Sequence, residues 1–550
     1  MKRIKIKLNN NTFECDPGIP LIDIINANAP DQGVTLCKAN YEYYGLFHKM
    51  YTDSTIFPLD ISTPEGNRVY QKTAVFVLLK AVKEAYPSIP LKALKVAFSI
   101  GNGLYIEMAG YEVSKAFVKS IKEKMQEIID RAIPIKKEKM GVDQAIELFG
   151  TLGMTDKINL LRYRRSSTVT IYTMEDLSNY FFDFVSTNSK DIRSFNLIQY
   201  KKGMVLVTPK TTNPKETEPF SCSKKLFNAL YDYNGLMSAA DISTVSDFND
   251  HITRDGFLAP ILMQEALMEK QISDIARKIA SDKKIKIVLI AGPSSSGKTT
   301  FSHRLSVQLK VNGLKSYPIA TDNYYKPREY TPIDENGMPD YECLEAMDIE
   351  QFVSDCKSLL SGNSVSMPTY NFKSGSREYL GDTLQLTDNS LIIAEGIHCL
   401  DPKMIGGLPK ENVFKIFISP MSQFNIDNID FISSNDIRLI RRIIRDSRDR
   451  SLSASATIEM WSSVRRGEEK YILPFRESAD AIFNSSMIYE IGALKPYAEA
   501  LLFGINKDEP SYGIASRLLK MLDYFLTIPS HLIPANSLLS EFVGGNIFGV

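Results

Sequence analysis

No apolar run in the chain approaches the roughly 18 residues of a membrane span, so no transmembrane helix is expected. Net charge is also missing: Lys+Arg and Asp+Glu are both 65. A balanced chain has no global basic field with which to attract nucleic acid. Cysteine is scarce, six residues in 550 at positions 15, 37, 222, 343, 356 and 399, with no C-x-x-C pair. Neither a zinc ribbon nor a disulfide framework is suggested, and a cytoplasmic, reducing location fits. No histidine occurs between His48 and His251. The opening Met1-Lys-Arg-Ile-Lys-Ile-Lys7 alternates charged and apolar groups, which reads as a strand and not as a signal peptide. Internal repeats and low-complexity segments are absent. What remains is ordinary for a soluble globular protein, 44% apolar and 24% charged. The length suits about three domains.

Residues 1–62 read as a small β-rich module. Ile4, Ile6 and Leu8 alternate with lysines, Asn9-Asn-Asn11 makes a turn, and Thr12 to Cys15 returns as a hairpin strand. Leu21 to Ala27 is a short helical run. From Pro64 the period changes. Val69, Thr73, Phe76, Val77, Leu79, Ala81 and Val82 predict a largely buried helix ending near Pro87. Mixed signals continue over 63–230, with an amphipathic helix at Ser114–Ala132 and a strand at Met204–Thr208. Residues 231–280 read as a helical connector carried by Leu262, Leu267, Ile272, Ile275 and Ile279. A third region spans 281–505. A helical tail at 506–550 holds one more helix, Ala515–Phe525.

The densest signal lies at Ile285–Thr300. A buried strand, Ile287 to Ile290, runs into Gly292-Pro-Ser-Ser-Ser-Gly297-Lys298-Thr299 and then a helix. That is a phosphate-binding P-loop in the context it requires, and it implies a nucleoside triphosphate with Mg²⁺. Backbone N–H groups of Gly292, Pro293 to Ser296 (proline excepted) and Gly297 are expected to cradle phosphates. Lys298 reaches the β- and γ-phosphates, Thr299 offers its hydroxyl to Mg²⁺, and Thr300 supports the loop. Phe301, Leu305 and Leu309 pack the helix, and Gly313 ends it.

Two further strands are predicted to end in carboxylates. Ser316–Ala320 leads into Thr321-Asp322-Asn323-Tyr324-Tyr325, which brings Asp322 to where doubly wound sheets bind ligands, beside the acceptor or the metal. Ser390–Gly396 is a near-continuous apolar run ending in Glu395, a Walker-B-like arrangement that can hold Mg²⁺ directly or through water. His398 follows and reads as structural. The segment Asp436–Arg450 then carries Arg438, Arg441, Arg442, Arg445, Arg448 and Arg450 on a helix whose narrow apolar face is Leu439, Ile440, Ile443 and Ile444. Arginine's planar fork suits phosphate oxygens and charge on a transferring phosphoryl group, so a lid or clamp is expected.

These pieces together resemble the uridine kinase/phosphoribulokinase branch of P-loop kinases over residues 281–505. The resemblance rests on the P-loop, Thr321-Asp-Asn-Tyr-Tyr325, Asp340-Tyr-Glu-Cys-Leu-Glu-Ala-Met-Asp348, Pro368-Thr-Tyr-Asn-Phe372, Ala394-Glu-Gly-Ile397 and the arginine helix. It implies an α/β fold with a doubly wound parallel sheet of the P-loop type. It implies that Asp322 is the base for a nucleoside 5′-hydroxyl, that Glu395 serves Mg²⁺, and that Arg445 and Arg450 contact phosphates. It further implies that Glu342, Tyr370 and Arg442 face the nucleoside, with Tyr324 beside them. The chain departs from the pattern in carrying Glu342 for an aspartate, Gly375 where a base-reading histidine is expected, and Met460 near a pyrimidine-reading glutamine. The identity of the acceptor base therefore stays open.

The first half has its own resemblance. Residues 1–62 are similar to a TGS domain, a β-grasp module of threonyl-tRNA synthetases and some GTPases. Pro64–Leu79 resembles the start of the synthetase's α+β editing domain over 63–230. Where that domain binds metal through H-x-x-x-H, this chain has Lys72 and Phe76. Asp183-Phe-Val-Ser-Thr-Asn-Ser-Lys-Asp-Ile192 replaces the later Cys- and His-bearing segment. Zinc ligation by histidine is excluded there, and editing hydrolysis is not expected.

The expectation is a kinase using ATP or GTP with Mg²⁺ and phosphorylating a nucleoside hydroxyl. Two alternatives stand beside it: another small alcohol as acceptor, or a nucleotide-regulated protein gripping structured RNA through the TGS-like half. A GTPase is disfavoured, because Asn506-Lys-Asp-Glu509 is not a proper N-K-x-D. Whether the chain forms a homo-oligomer is left open by the sequence.

Overall fold

The computed structural model describes all residues except 1–2, 9–10, 29–32, 334–336, 338, 372, 422–423 and 550. The expected turn at Asn9–Asn10 and Phe372 of the Pro368–Phe372 motif lie outside the described residues. The chain divides into two compact units. One comprises Met1–Arg254, Gln423–Ser433 and Leu502–Leu526; the other comprises Asp255–Ser422, Ser434–Leu501 and Thr527–Val550.

The first unit starts with a five-stranded sheet in the order Asn11–Cys15, Ile4–Leu8, Ser54–Leu59, Leu36–Ala39, Glu42–Gly45. The Ile4–Leu8 and Ser54–Leu59 strands are parallel, and the other neighbours are antiparallel. Ile4, Ile6 and Leu8 are buried while the lysines between them are exposed, as the two-residue period demands. Helix Leu21–Asn28 covers this face with Leu21, Ile24 and Ile25. Helix Pro64–Ala85 follows. Thr63 caps it by accepting from the Gly66 N–H at 3.1 Å, and Pro64 sits in the first turn, where its missing N–H costs nothing. Helix Lys115–Asp130, capped by Ser114, and an antiparallel sheet ordered Asn196–Tyr200, Gly203–Val207, Gly103–Met108, Leu94–Ile100 continue the unit.

The second unit is organised by one sheet whose five strands are all parallel. Their order is Lys315–Ala320, Ser390–Gly396, Ile287–Ala291, Val413–Ser419, Ala481–Asn484. In chain order this is 2-3-1-4-5, so the P-loop strand occupies the centre. Ile287 to Ala291 are fully buried, as a strand covered on both faces must be. Helix Lys298–Val311 packs Phe301, Leu305 and Leu309 inward, and all three are fully buried.

Helix Leu258–Ser281 corrects one expected face. Ile272, Ile275 and Ile279 are buried, together with Ile261, Gln264, Met268 and Ala276. Leu262 is instead 60% exposed. The buried stripe passes through Ile261 and Met268, one step around the helix from Leu262 and Leu267. The tail also divides. Its helix spans Tyr512–Leu522 and belongs to the first unit, whereas residues 527–550 belong to the second.

Candidate active site

Strand register assembles the site at the carboxyl ends of three neighbouring strands. Glu395 pairs with Ile290 of the P-loop strand on one side and with Ala320 on the other. Gly292 and Asp322 therefore leave the sheet on either side of Glu395, where the strand order diverges. Two close approaches require glycine. A Cβ on Gly292 would stand 2.0 Å from the Ile418 carbonyl oxygen, and one on Gly396 would stand 1.8 Å from the Thr321 hydroxyl. Gly297, with φ +82°, turns the loop into the helix.

Within the loop, Lys298 Nζ donates to the Gly292 and Pro293 carbonyls at 3.2 and 3.5 Å. The Ser295 and Ser296 hydroxyls are buried and have no hydrogen-bond partner among the described residues. Unpaired buried hydroxyls in such a loop are a fitting lining for anionic oxygens. Thr299 Oγ1 donates to Glu395 Oε1 at 2.9 Å. Burial pushes the Glu395 carboxyl up to about 7, against the pull of Lys298. One hydroxyl and one carboxylate at that spacing suit Mg²⁺, which keeps waters and takes one or two protein oxygens beside substrate phosphates. The donor set thus fits the implied metal.

Asp322 is exposed at its strand end, in a one-turn 3₁₀ segment, Thr321–Tyr324. The protein around its carboxyl raises it above the usual range, and Lys298, Arg450 and Arg445 pull it back. Glu342 is half-buried nearby and is pushed to about 7 by burial, with Arg442 opposing. Tyr370 is 9% exposed, and its ring lies 5.8 Å from that of Tyr325.

Tyr324 requires a correction. Its side chain is 1% exposed, packs edge-on against Phe352, and donates its hydroxyl to Asp355 at 3.0 Å. It is a core residue. The 3₁₀ turn ends there, and the next tyrosine, Tyr325, is the one whose ionisation is opposed by burial and by Asp322 and Glu342. The doubled tyrosine was visible in the sequence, but which of the two faces the site depends on the turn. Gly375 takes φ +70°, and a Cβ there would lie 3.0 Å from Arg328 side-chain atoms. His398 is fully buried; burial lowers its imidazole to about 4, so it is neutral.

The arginine helix, Ser434–Asp449, also splits its roles. Arg438 and Arg441 are buried in ion pairs with Glu468 and Glu490. From there Arg438 Nε donates to the Ser294 carbonyl at 3.1 Å, and Arg441 Nη1 to the Ser295 carbonyl at 3.4 Å. These two brace the loop from behind. Arg442 Nη1 and Arg445 Nη2 reach the Ser294 hydroxyl at 3.0 and 3.5 Å, and both pair with Asp446. Arg450 pairs with the same aspartate at 3.4 Å. Arg448 pairs with Asp449 and turns toward the tail. A single apolar stripe with six arginines does not reveal this division, because the partners Glu468 and Glu490 lie on other helices.

A central parallel strand feeding a P-loop, with a carboxylate-ending strand at its side, defines a P-loop kinase-like region within a mixed α/β chain. Residues 287–491 match the model of the phosphoribulokinase/uridine kinase family. A uridine kinase of Staphylococcus aureus is 29% identical over 197 residues, covering 36% of this chain and 86% of that protein. Among solved structures, D-glycerate 3-kinase from Cryptococcus neoformans covers 46% of this chain and 87% of its own at 14% identity and a TM-score of 0.23. A protein described as a possible uridine kinase from Bacillus stearothermophilus covers 39% and 98% at 18% identity and a TM-score of 0.25. At such scores the fold class rests on the sheet order and the loop. The family match supports a nucleoside or small-alcohol kinase, a phosphotransferase acting on a small molecule. Among the described residues no helix is long and apolar enough to cross a membrane.

Proposed function

We propose that the protein transfers a phosphoryl group from ATP, with Mg²⁺, to the 5′-hydroxyl of a nucleoside. The observation that carries this reading is the flanking of the P-loop by two carboxylates with different surroundings. Glu395 is buried against Thr299, whereas Asp322 is exposed and faced by Lys298, Arg450 and Arg445. Asp322 accepts the hydroxyl proton and orients the attacking oxygen. Lys298, Arg445 and Arg450 offset charge on the phosphoryl group as it moves. Thr299 and Glu395 would hold Mg²⁺, which when bound neutralises phosphate charge. Tyr325, Glu342 and Tyr370, with Arg442, form the acceptor side. Positioning and electrostatics are all such a reaction requires.

Gly375 is the position at which a side chain would read the base, and Arg328 lies against it, so the acceptor is the finer part of the proposal. ADP release with uridine, cytidine, adenosine, guanosine and a set of sugar alcohols tests it. A nucleoside is expected to be preferred by about a hundredfold in kcat/KM, the scale that a few specific polar contacts supply. Preference for a sugar alcohol moves the assignment to another small-alcohol kinase.

For the first unit we propose a β-grasp, TGS-like module at 1–62 and an editing-like domain at 63–230 that has lost metal chemistry. Lys72 forms a buried ion pair with Asp430, and Phe76 packs edge-on against Phe181 at 5.1 Å. Neither group is free to ligate a metal.

A further inference from the structure

The segment Pro534–Phe548 forms none of the sheet, yet its contacts converge on the first two turns of the P-loop helix. Thr300, the residue after the Mg²⁺-site threonine, is fully buried. Its hydroxyl donates to Glu541 Oε2 at 3.0 Å and accepts from Asn546 Nδ2 at 3.0 Å. Leu538 lies in van der Waals contact with the position a Cβ would take on Gly297, at 3.6 Å. One turn further along, His303 and Phe548 stack with ring centroids 5.2 Å apart and planes within 10°.

The other side of the segment is held by the arginine helix. Arg448 donates to the Phe542 carbonyl at 3.1 Å and to the Glu541 carbonyl at 2.8 Å. Arg441, which also reaches the Ser295 carbonyl, lies over the Phe542 ring at 5.1 Å. Tyr489 and Ser537 share a hydroxyl–hydroxyl bond at 2.9 Å that roots the segment just before a third helix, Glu490–Phe503. One short stretch thus joins the helix that presents Thr299 to the helix that presents Arg442 and Arg445.

We propose that Pro534–Phe548 is a clasp that positions the phosphate-donor site, with Glu541 as a positioning residue acting through Thr300. The inference rests on the kinase reading above. A hydroxyl gripped by a buried carboxylate and an amide cannot rotate without leaving one of them unpaired, so the first helical turn is fixed. Fixing that turn fixes Lys298 and Thr299, which precede Thr300 directly. Glu541 also adds negative charge next to Glu395, where it strengthens the field that would attract a cation.

The test is calorimetric titration of the full chain with Mg·ADP, alongside steady-state kinetics. Glu541→Ala and Asn546→Ala are expected to weaken Mg·ADP binding about tenfold and about threefold, the range for losing a charged and a neutral hydrogen bond. KM for the acceptor should stay within about twofold, because the Glu541 and Asn546 side chains both act on Thr300 of the P-loop helix. Glu541→Gln keeps the shape and an accepting oxygen. It is expected to regain most of the ADP affinity while needing about threefold more Mg²⁺ for half-saturation, since the charge is gone. It also serves if Glu541→Ala fails to fold. Mg·ADP affinity and Mg²⁺ requirement unchanged within about twofold in folded Glu541→Gln and Asn546→Ala protein would overturn the clasp. Absence of Mg·ADP binding by the unaltered chain would instead remove the kinase reading itself.

Discussion

Each unit gathers a cluster of charge, and the two clusters are built differently. In the first unit Lys72 pairs with Asp430, and Lys157 pairs with Asp427 at 2.6 Å while donating to the Tyr180 carbonyl at 3.0 Å. The aspartates are satisfied on every side. Asp430 Oδ2 accepts from the Phe182 N–H at 2.9 Å, and Asp427 Oδ1 accepts from the N–H groups of Ile429 and Asp430 at 3.0 and 2.9 Å. Burial still raises the Asp427 carboxyl, against Lys157 and with the help of Asp430 and Asp156, but a lysine and backbone N–H groups hold both of its oxygens. In the second unit the surrounding protein raises the proton affinity of Asp322, Glu342 and Glu395, Asp322 adds to the rise at both glutamates, and Lys298 opposes it at all three. Like charges held together without full pairing are tolerated where a ligand completes them. The first cluster is closed by direct hydrogen-bond partners, whereas the second keeps the open carboxylates of the proposed site.

The largest effect should come from removing the proposed base. Asp322→Asn is expected to lower kcat by about a thousandfold, within the range for general-base catalysis, with Mg·ADP affinity in calorimetry nearly unchanged. Near-normal turnover would take Asp322 out of that role. The same kind of cut in the first unit should act on stability. Asp430→Ala strands the Lys72 ammonium and is expected to cost about 3–5 kcal/mol in denaturant unfolding, with much of the loss recovered in the double variant Lys72→Met, Asp430→Leu. An Asp430→Ala protein as stable as the parent would remove the distinction drawn between the clusters.

A pH titration sharpens the comparison from the other side. Glu395 is raised to about 7, above its unfolded range, so the protonated form is favoured in the free protein below that point. The unliganded fold therefore loses stability as pH rises from the ordinary carboxylate range through 7. Cation binding needs the carboxylate, so Mg·ADP affinity is expected to rise by up to about tenfold per pH unit below 7 and to level off above it. Glu395→Gln should flatten that profile. The smallest effect separates two adjacent tyrosines. Tyr325→Phe is expected to raise the acceptor KM about threefold. Tyr324→Phe should leave KM alone and cost about 1 kcal/mol of stability through the lost bond to Asp355.

The parts of the site that could be read in the sequence are those whose meaning is local. The P-loop, Asp322 and Glu395 each announce themselves by a strand, a turn and one residue type, and register brings them together. Residues whose role depends on distant partners were not legible. Arg438 and Arg441 resemble Arg445 in sequence, but Glu468 and Glu490 turn them into struts. Tyr324 and Tyr325 differ only by where a 3₁₀ turn stops. The bond from Thr300 to Glu541 spans 241 residues, and no local pattern announces it. In the helix at Leu258–Ser281 the expected Ile272, Ile275 and Ile279 are buried but Leu262 is exposed, because only packing decides which of several apolar positions goes inside.

The first unit is assembled from three stretches of chain, the second being Gln423–Ser433 and the last Leu502–Leu526. That discontinuity sets an order of events during synthesis. Lys72 and Lys157 leave the ribosome some hundreds of residues before Asp430 and Asp427 can meet them. Asn249 donates to the Tyr524 carbonyl at 2.8 Å, a bond whose partners lie 275 residues apart. Until Asp427 and Asp430 emerge, the nascent first unit carries two lysines whose buried counter-ions have not yet been made. A message truncated before codon 427 would yield a product in which that unit cannot complete its interior, so a fragment carrying the first 254 residues alone is expected to be degraded instead of accumulating.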